Sequence, residues 1–162
     1  MQAAFEIAVR EFPGAFNGYE LAVVESHQST KQDTSGTAKA IVASLVNLVG
    51  NDGQTAESAI DNIERVRDPD TQLDGAQGRL QKVPEENIKG HAYHTYSLTS
   101  PDNDVRFELR HNVNGRRVYA EGTADAVLFL ARRLQEKKQS TNDNPTKRIF
   151  NMIDVLKSGE LY

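Results

Sequence analysis

The segment from Tyr19 to Val49, YELAVVESHQSTKQDTSGTAKAIVASLVNLV, constrains the fold more than any other stretch of the chain. Tyr19 to Glu25 runs apolar with β-branched residues, the pattern of a buried strand. From Ser35 or Gly36 onward, Ala38, Ile41, Val42, Leu45 and Val49 recur at the spacing of an amphipathic helix, with Thr34 and Ser35 as N-cap candidates. Strand, polar loop and helix in that order commit the chain to an α/β or α+β class. They also put the end of a strand beside the start of a helix, which is where open α/β sheets hold ligands.

The loop carries groups with usable chemistry. A helix starting at Ser35, Gly36 and Thr37 presents backbone N–H groups with no intrahelical partner, and these together with the helix dipole favour an anion. Gly36 lets a ligand approach the backbone, and Ser35 and Thr37 add hydroxyls. Lys31 adds a positive charge, and His27 can give or take a proton near neutral pH. The same residues also fit an ordinary helix cap, a solvated lysine and a surface histidine. Spacing alone leaves both readings open.

Around this segment, Ala4, Ile7, Ala8 and Phe12 form a helical stripe over Gln2 to Phe12, closed by the Pro13, Gly14 and Gly18 of FPGAFNGY. GNDGQTAES, Gly50 to Ser58, reads as a polar connector. IERVRD is expected as a short strand ended by Pro69, and Pro69 to Gly90 as a loop. HAYHTYSLT and DVRFELRH read as strands, the second with Val105, Phe107 and Leu109 on one face and Arg106, Glu108 and Arg110 on the other. Asn114-Gly115 is a hairpin signal and predicts RRVYAEG as a further strand of a meander. A helix is expected from a Thr123 cap to Lys138, with Ala126, Val127, Leu130, Ala131 and Leu134 on one face. QSTNDNPT has a linker's composition, and Ile149, Met152, Ile153 and Leu156 form a last helical stripe. The sheet is expected to be mixed, and no internal repeat is present.

Composition narrows the function classes. The net charge is −4, so no basic field exists to hold nucleic acid or an anionic membrane, and an anionic ligand must be held locally. The absence of cysteine removes disulfides, thiolate nucleophiles and thiol-based zinc sites. His91 and His94 of HAYH point to opposite faces of a strand, which argues against a shared metal, and no metal site is expected. His111 with Arg116 and Arg117 either lines an anionic pocket or forms a solvated edge. No P-loop, G-x-S-x-G elbow or G-x-G-x-x-G turn is found. Apolar runs are too short to span a bilayer, and MQAAFEIAVREF lacks the order of a signal peptide, so a soluble protein is expected.

ESHQSTKQDTSGTA resembles the signature of the 4-hydroxy-tetrahydrodipicolinate reductase (dihydrodipicolinate reductase) family, roughly E-x-H-H-x-x-K-x-D-x-P-S-G-T-A in bacterial members. Glu25, His27, Lys31, Asp33, Ser35, Gly36, Thr37 and Ala38 match. RDP, VPEENIKGHAYHTYSLTSPD, FELRHNVNGRRVYAEGTADAVLFLA and RIFNMIDVL resemble the plant and algal branch in the same order. Gln28 stands where bacterial members have a second histidine, and the proline before Ser-Gly-Thr is missing with one residue deleted; both departures resemble the plant-type pattern.

The resemblance implies hydride transfer from NADPH or NADH to a cyclic dicarboxylate imine. His27 would be the proton donor, Lys31 an assisting donor, and Ser35, Gly36 and Thr37 the grip on a substrate carboxylate, with Gln28 a further substrate contact. It implies a mixed, mainly meander sheet of about four strands flanked by helices. Residues 1–18 would be a connecting helix and turn, 19–122 a substrate-binding and oligomerisation domain, and 123–162 helices that pack on a nucleotide-binding half. That half, with its G-x-G-x-x-G and coenzyme site, is expected to be absent from this chain. A homotetramer is implied, in a plastid for a plant or algal protein and in the cytoplasm otherwise. The alternative is a non-catalytic module that binds dicarboxylates and assembles without turnover.

Overall fold

The computed structural model describes residues 2–50, 53, 55–139 and 149–159. The chain divides into two compact units, residues 1–115 and 116–162. The first runs α1 (Gln2–Glu11), β1 (Glu20–His27), α2 (Gly36–Val49), α3 (Ala56–Asp61), β2 (Glu64–Val66), α4 (Pro69–Asp74), β3 (His91–Thr99) and β4 (Arg106–Asn114). The strands form one sheet in the order β2-β1-β3-β4, with β1 parallel to β2 and antiparallel to β3, and β3 antiparallel to β4. The mixed four-stranded sheet flanked by helices is as expected. Among the described residues no helix is long and apolar enough to cross a membrane.

The apolar run in β1 follows from burial on both faces of the sheet. Val23 faces α2 and joins Ile41, Val42, Leu45, Val46, Ala59, Ile63 and Tyr96 in one core. Val24 faces the other way, onto Val66, Ala76, Leu80, Val83 and Tyr93. Each of these large side chains contributes about 1.5–3 kcal/mol when fully removed from water, so α2 is held mainly by its buried stripe. Its ends are also satisfied. Ser35 Oγ accepts from the Ala38 N–H at 3.4 Å, and the backbone N–H groups of Gly14, Phe16 and Gly18 donate to the carbonyls of Asn47, Leu48 and Val49. The turn FPGAFNGY thus stops α1 and caps the C-terminus of α2, with Gly14 and Gly18 at positive φ of 70° and 79°.

Four local expectations are corrected. The segment from Pro69 is not all loop, because Asp68 caps α4 through the Thr71 N–H. RRVYAEG is not a strand: β4 ends at Asn114, and the second unit opens with α5 (Arg117–Gln139). Arg117, Ala120 and Glu121 are good helix formers, and Arg117 pairs with Glu121 one turn on at 2.7 Å, which outweighs the β preference of Val118 and Tyr119. Thr123 is therefore interior to the helix, its hydroxyl donating to the Tyr119 carbonyl, and is not the cap. The last helix, α6 (Met152–Ser158), starts after Ile149, with Asn151 and Asp154 capping each other's N–H groups. Of QSTNDNPT, only Gln139 is among the described residues, and the connector at Gly50 to Ser58 is described only in part.

Candidate active site

The site sits where β1 ends and α2 begins, on the sheet face that α2 covers. Glu25 and His27 are two residues apart on β1 and so share that face. Across the sheet, Glu25 lies directly opposite His94 of β3, which lies opposite His111 of β4. Register alone therefore stacks a carboxylate and two imidazoles in a row, with His27 on the diagonal.

Glu25 is completely buried and organises its surroundings. Its Oε2 accepts the Ser35 N–H at 3.0 Å, which ties the start of α2 to β1. Its Oε1 pairs with Arg67 Nη2, just after β2. Arg67 also donates from Nε to the Lys31 carbonyl at 2.8 Å and from Nη2 to the Asp33 carbonyl at 3.2 Å, so it pins the loop between strand and helix. Buried Gln72 donates to the His27 carbonyl at 2.7 Å and to the Val66 carbonyl at 3.2 Å. The loop is thus fixed from β2 and α4 as well as from its own ends.

His27 is 6% exposed. Its Nε2 lies 3.2 Å from His94 Nε2 and 3.8 Å from Glu25 Oε2. His94 Nδ1 in turn lies 3.5 Å from His111 Nδ1, with the two rings parallel. Burial pushes the His27 imidazole down to about 4, and the positive charges of Arg67 and Lys31 add to the effect. His94 is also lowered to about 4, by burial and then by His27, with the Glu25 carboxylate pulling the other way. Both rings are neutral near pH 7 in the absence of a bound anion.

The other expected site residues surround this core. The Lys31 N–H donates to the Gln28 carbonyl at 2.9 Å, which turns the chain back after β1. Lys31 Nζ pairs with Asp33 at 2.7 Å, and this hydrogen bond lowers the Asp33 carboxyl. Gln28 is half-buried, while Gly36 and Thr37 are exposed on the first turn of α2. A Cβ built on Gly36 would meet nothing within 4 Å, and its φ is not in the left-handed region. Neither backbone geometry nor packing within the chain requires a glycine there.

Sequence reasoning assigned no role to Glu25, Arg67, Gln72 or His94. Glu25 lies in ESHQSTKQDTSGTA, Arg67 in RDP and His94 in HAYH, and no local spacing says that they meet. His91 lies on the opposite face from His94, as the strand pattern predicts. Its Nδ1 faces the Asn87 and Ile88 carbonyls, so its Nε2 accepts from Ser26 Oγ at 2.8 Å. This Ser-His pair is buried and offers no accessible nucleophile.

One ligand atom each from Glu25, His27 and His94 lies within 4.8 Å of the others, the right scale for a metal ion. Both Glu25 oxygens, however, are already engaged by Arg67 and the Ser35 N–H, and the neighbouring guanidinium opposes a second cation. The turn between β1 and α2 fits a dinucleotide poorly, because it has one glycine, Gly36, where a pyrophosphate-binding turn needs several.

A family described as "Dihydrodipicolinate reductase, C-terminus" matches residues 1–156. A protein from Arabidopsis thaliana named 4-hydroxy-tetrahydrodipicolinate reductase 2, chloroplastic, is 49% identical over 159 residues, covering 98% of this chain and 40% of its own length. A second, named 4-hydroxy-tetrahydrodipicolinate reductase 1, chloroplastic, is 49% identical over 98% of this chain and 41% of its own length. A protein from Oryza sativa subsp. japonica named probable 4-hydroxy-tetrahydrodipicolinate reductase 2, chloroplastic, is 48% identical over 98% of this chain and 43% of its own length. The chain thus spans about two fifths of the length of these curated relatives.

Proposed function

We propose, from the premise that this chain belongs to the dihydrodipicolinate reductase family, that it supplies the substrate-binding and proton-donating part of a 4-hydroxy-tetrahydrodipicolinate reductase. The reaction is reduction of a cyclic dicarboxylate imine to tetrahydrodipicolinate, a step of the diaminopimelate route to lysine. The observation that carries this reading is the junction built by Glu25. One carboxylate oxygen takes the N–H at the start of α2 and lies 3.8 Å from His27 Nε2, so an anion-binding helix start and a proton donor share one rigid anchor.

In this reading the exposed start of α2, at Gly36 and Thr37, receives one substrate carboxylate through backbone N–H groups and the threonine hydroxyl, with Ser35 holding the helix end in place. Lys31 adds charge on the same side, and Gln28 offers its amide to the substrate. His27 delivers a proton to the ring carbon where negative charge builds up. Burial holds the His27 imidazole neutral, and the charges of Arg67 and Lys31 add to it. A bound dianion offsets those charges and moves His27 toward the form that can donate. The hydride comes from reduced nicotinamide coenzyme, NADPH or NADH.

We extend the proposal to assembly and location. Val105, just before β4, and Phe107 and Leu109 on it are exposed at the sheet edge, which supports a homo-oligomer with the tetramer as the expected state. Light scattering should then give four times the chain mass. The relatives' names favour a plastid, to be checked by organelle fractionation.

Calorimetric titration with pyridine-2,6-dicarboxylate, a planar analogue of the substrate, tests the site directly. Saturable binding is expected, and its loss in Lys31→Ala locates it. Imine reduction should appear when this segment is joined to the nucleotide-binding half of a relative. Binding without turnover in that fusion would favour the alternative of a dicarboxylate-binding assembly module.

A further inference from the structure

We infer that the proton donor of this site is the pair His27–His94 rather than His27 alone: one proton is held between the two Nε2 atoms, with His111 fixing the tautomer of His94. The inference rests on the reading of His27 as the proton donor and deepens it.

Both ring nitrogens of His94 are committed to other imidazoles. Its Nε2 is 3.2 Å from His27 Nε2, and its Nδ1 is 3.5 Å from His111 Nδ1. His94 is 2% exposed, so water does not compete for either position. The His91 backbone acts on the His27 ring in the raising direction, and with Nε2 turned to His94 the proton of the neutral His27 ring is assigned to Nδ1. If His94 gives its own Nδ1–H to His111, the two Nε2 lone pairs face each other across 3.2 Å. A single proton placed between them relieves that opposition and is shared by two equivalent bases. His27 and His94 then titrate as one unit in two steps, not as independent groups.

The surroundings suit one added charge and no more. Glu25 Oε2 lies 3.8 Å from His27 Nε2 and 4.0 Å from His94 Nε2, so a carboxylate sits beside the shared proton from β1. From just after β2, Arg67 opposes protonation, as does Lys31 from the loop before α2. From β3, the phenol of Tyr96 adds no charge, because burial beside Glu25 raises it above its ordinary value. From β4, His111 is lowered by burial and stays neutral. Binding of a dicarboxylate anion changes this balance in favour of the shared proton.

The proton count closes. The loaded pair carries His27 Nδ1–H, His94 Nδ1–H and the shared proton, with a net charge of +1. Transfer gives the shared proton to the substrate carbon, whose electron pair forms the new C–H bond, and leaves two neutral rings. The pair reloads through His27, 6% exposed against 2% for His94, after product leaves. His94 and His111 are positioning residues, since neither meets the substrate.

The test is ¹⁵N NMR of the imidazoles in this chain, by acid titration from pH 7 to pH 4 and separately on addition of pyridine-2,6-dicarboxylate. The expected result is that His27 Nε2 and His94 Nε2 move together in the first of their two steps, with a through-hydrogen-bond ¹⁵N–¹⁵N coupling between them, while His111 moves separately. In His94→Gln, which keeps a polar group opposite His27, His27 should titrate as a single independent ring. His111→Gln should preserve the step and shift its midpoint. Protonation of His27 with the His94 signals unmoved, or a His27 titration unchanged in His94→Gln, overturns the inference. Absence of any response to the dicarboxylate, with the joint acid step intact, counts against the proposed function and leaves the pair standing.

Discussion

Replacing Gly36 with alanine separates what the start of α2 does for the fold from what it does for a ligand. The added methyl meets no atom of this chain within 4 Å, and the backbone there has no positive φ to defend. Folding is therefore not penalised. Alanine for glycine in a helix gains at most about 0.5–1 kcal/mol, and less on a first turn. For a chain of this size that is a rise in Tm of at most about 2–4 °C. Binding moves the other way. A carboxylate accepting from the Gly36 and Thr37 N–H groups must come within about 2.9 Å of nitrogen, into the space that the methyl takes. Overpacking of this kind costs about 1–3 kcal/mol, and at about 1.4 kcal/mol per tenfold this weakens pyridine-2,6-dicarboxylate by roughly 5- to 150-fold. Calorimetric titration and thermal unfolding of the same variant give both readings. An unchanged Kd, or a fall in Tm with affinity retained, refutes the assignment of Gly36 as ligand-approach space.

Three further perturbations follow from the same geometry. Arg67→Met leaves the fully buried Glu25 carboxylate without its ion-pair partner and frees the Lys31 and Asp33 carbonyls. A loss of about 3–5 kcal/mol in urea unfolding is expected, and a loss below 1 kcal/mol would mean that the pair does not hold the loop. In the complete reductase, His27→Ala should lower kcat by orders of magnitude with KM little changed, whereas equal losses in both would make His27 a residue that orients the substrate. Stability of this chain should be level above pH 6.5. It should fall as pH drops from 6.5 toward 4, because unfolded His27 and His94 take up protons there while their folded counterparts, lowered to about 4, do not. Chemical denaturation across that range checks the sign, and stability that rises on acidification contradicts the burial argument.

Local pattern reveals β1, α2 and the helix-start chemistry because their signals are contained within a few turns of chain: the apolar run, the 3.6-residue stripe and a capping serine. It misreads residues 116–122, since Asn114-Gly115 followed by Val118 and Tyr119 looks like a hairpin only until the Arg117–Glu121 pair and the downstream helix are counted. What it cannot reach is set by strand register. Glu25, His94 and His111 stand in one row because β1, β3 and β4 pair with Glu25 opposite His94 and His94 opposite His111. A shift of one residue in either pairing would send a histidine to the other face, where His91 already binds Ser26.

The motif therefore carries only half of its own explanation. Its glutamate has no visible task in the linear sequence, yet in the fold it is the residue that the helix start, Arg67 and two histidines all approach. Replacing it with an apolar residue would release Ser35 from β1 and remove the only carboxylate that the His27–His94 pair faces among the described residues. Anion grip and proton donation are thus coupled through a side chain that no substrate needs to touch. Variants at Glu25 should accordingly damage dicarboxylate affinity and histidine titration together, whereas Gly36→Ala should damage the first alone.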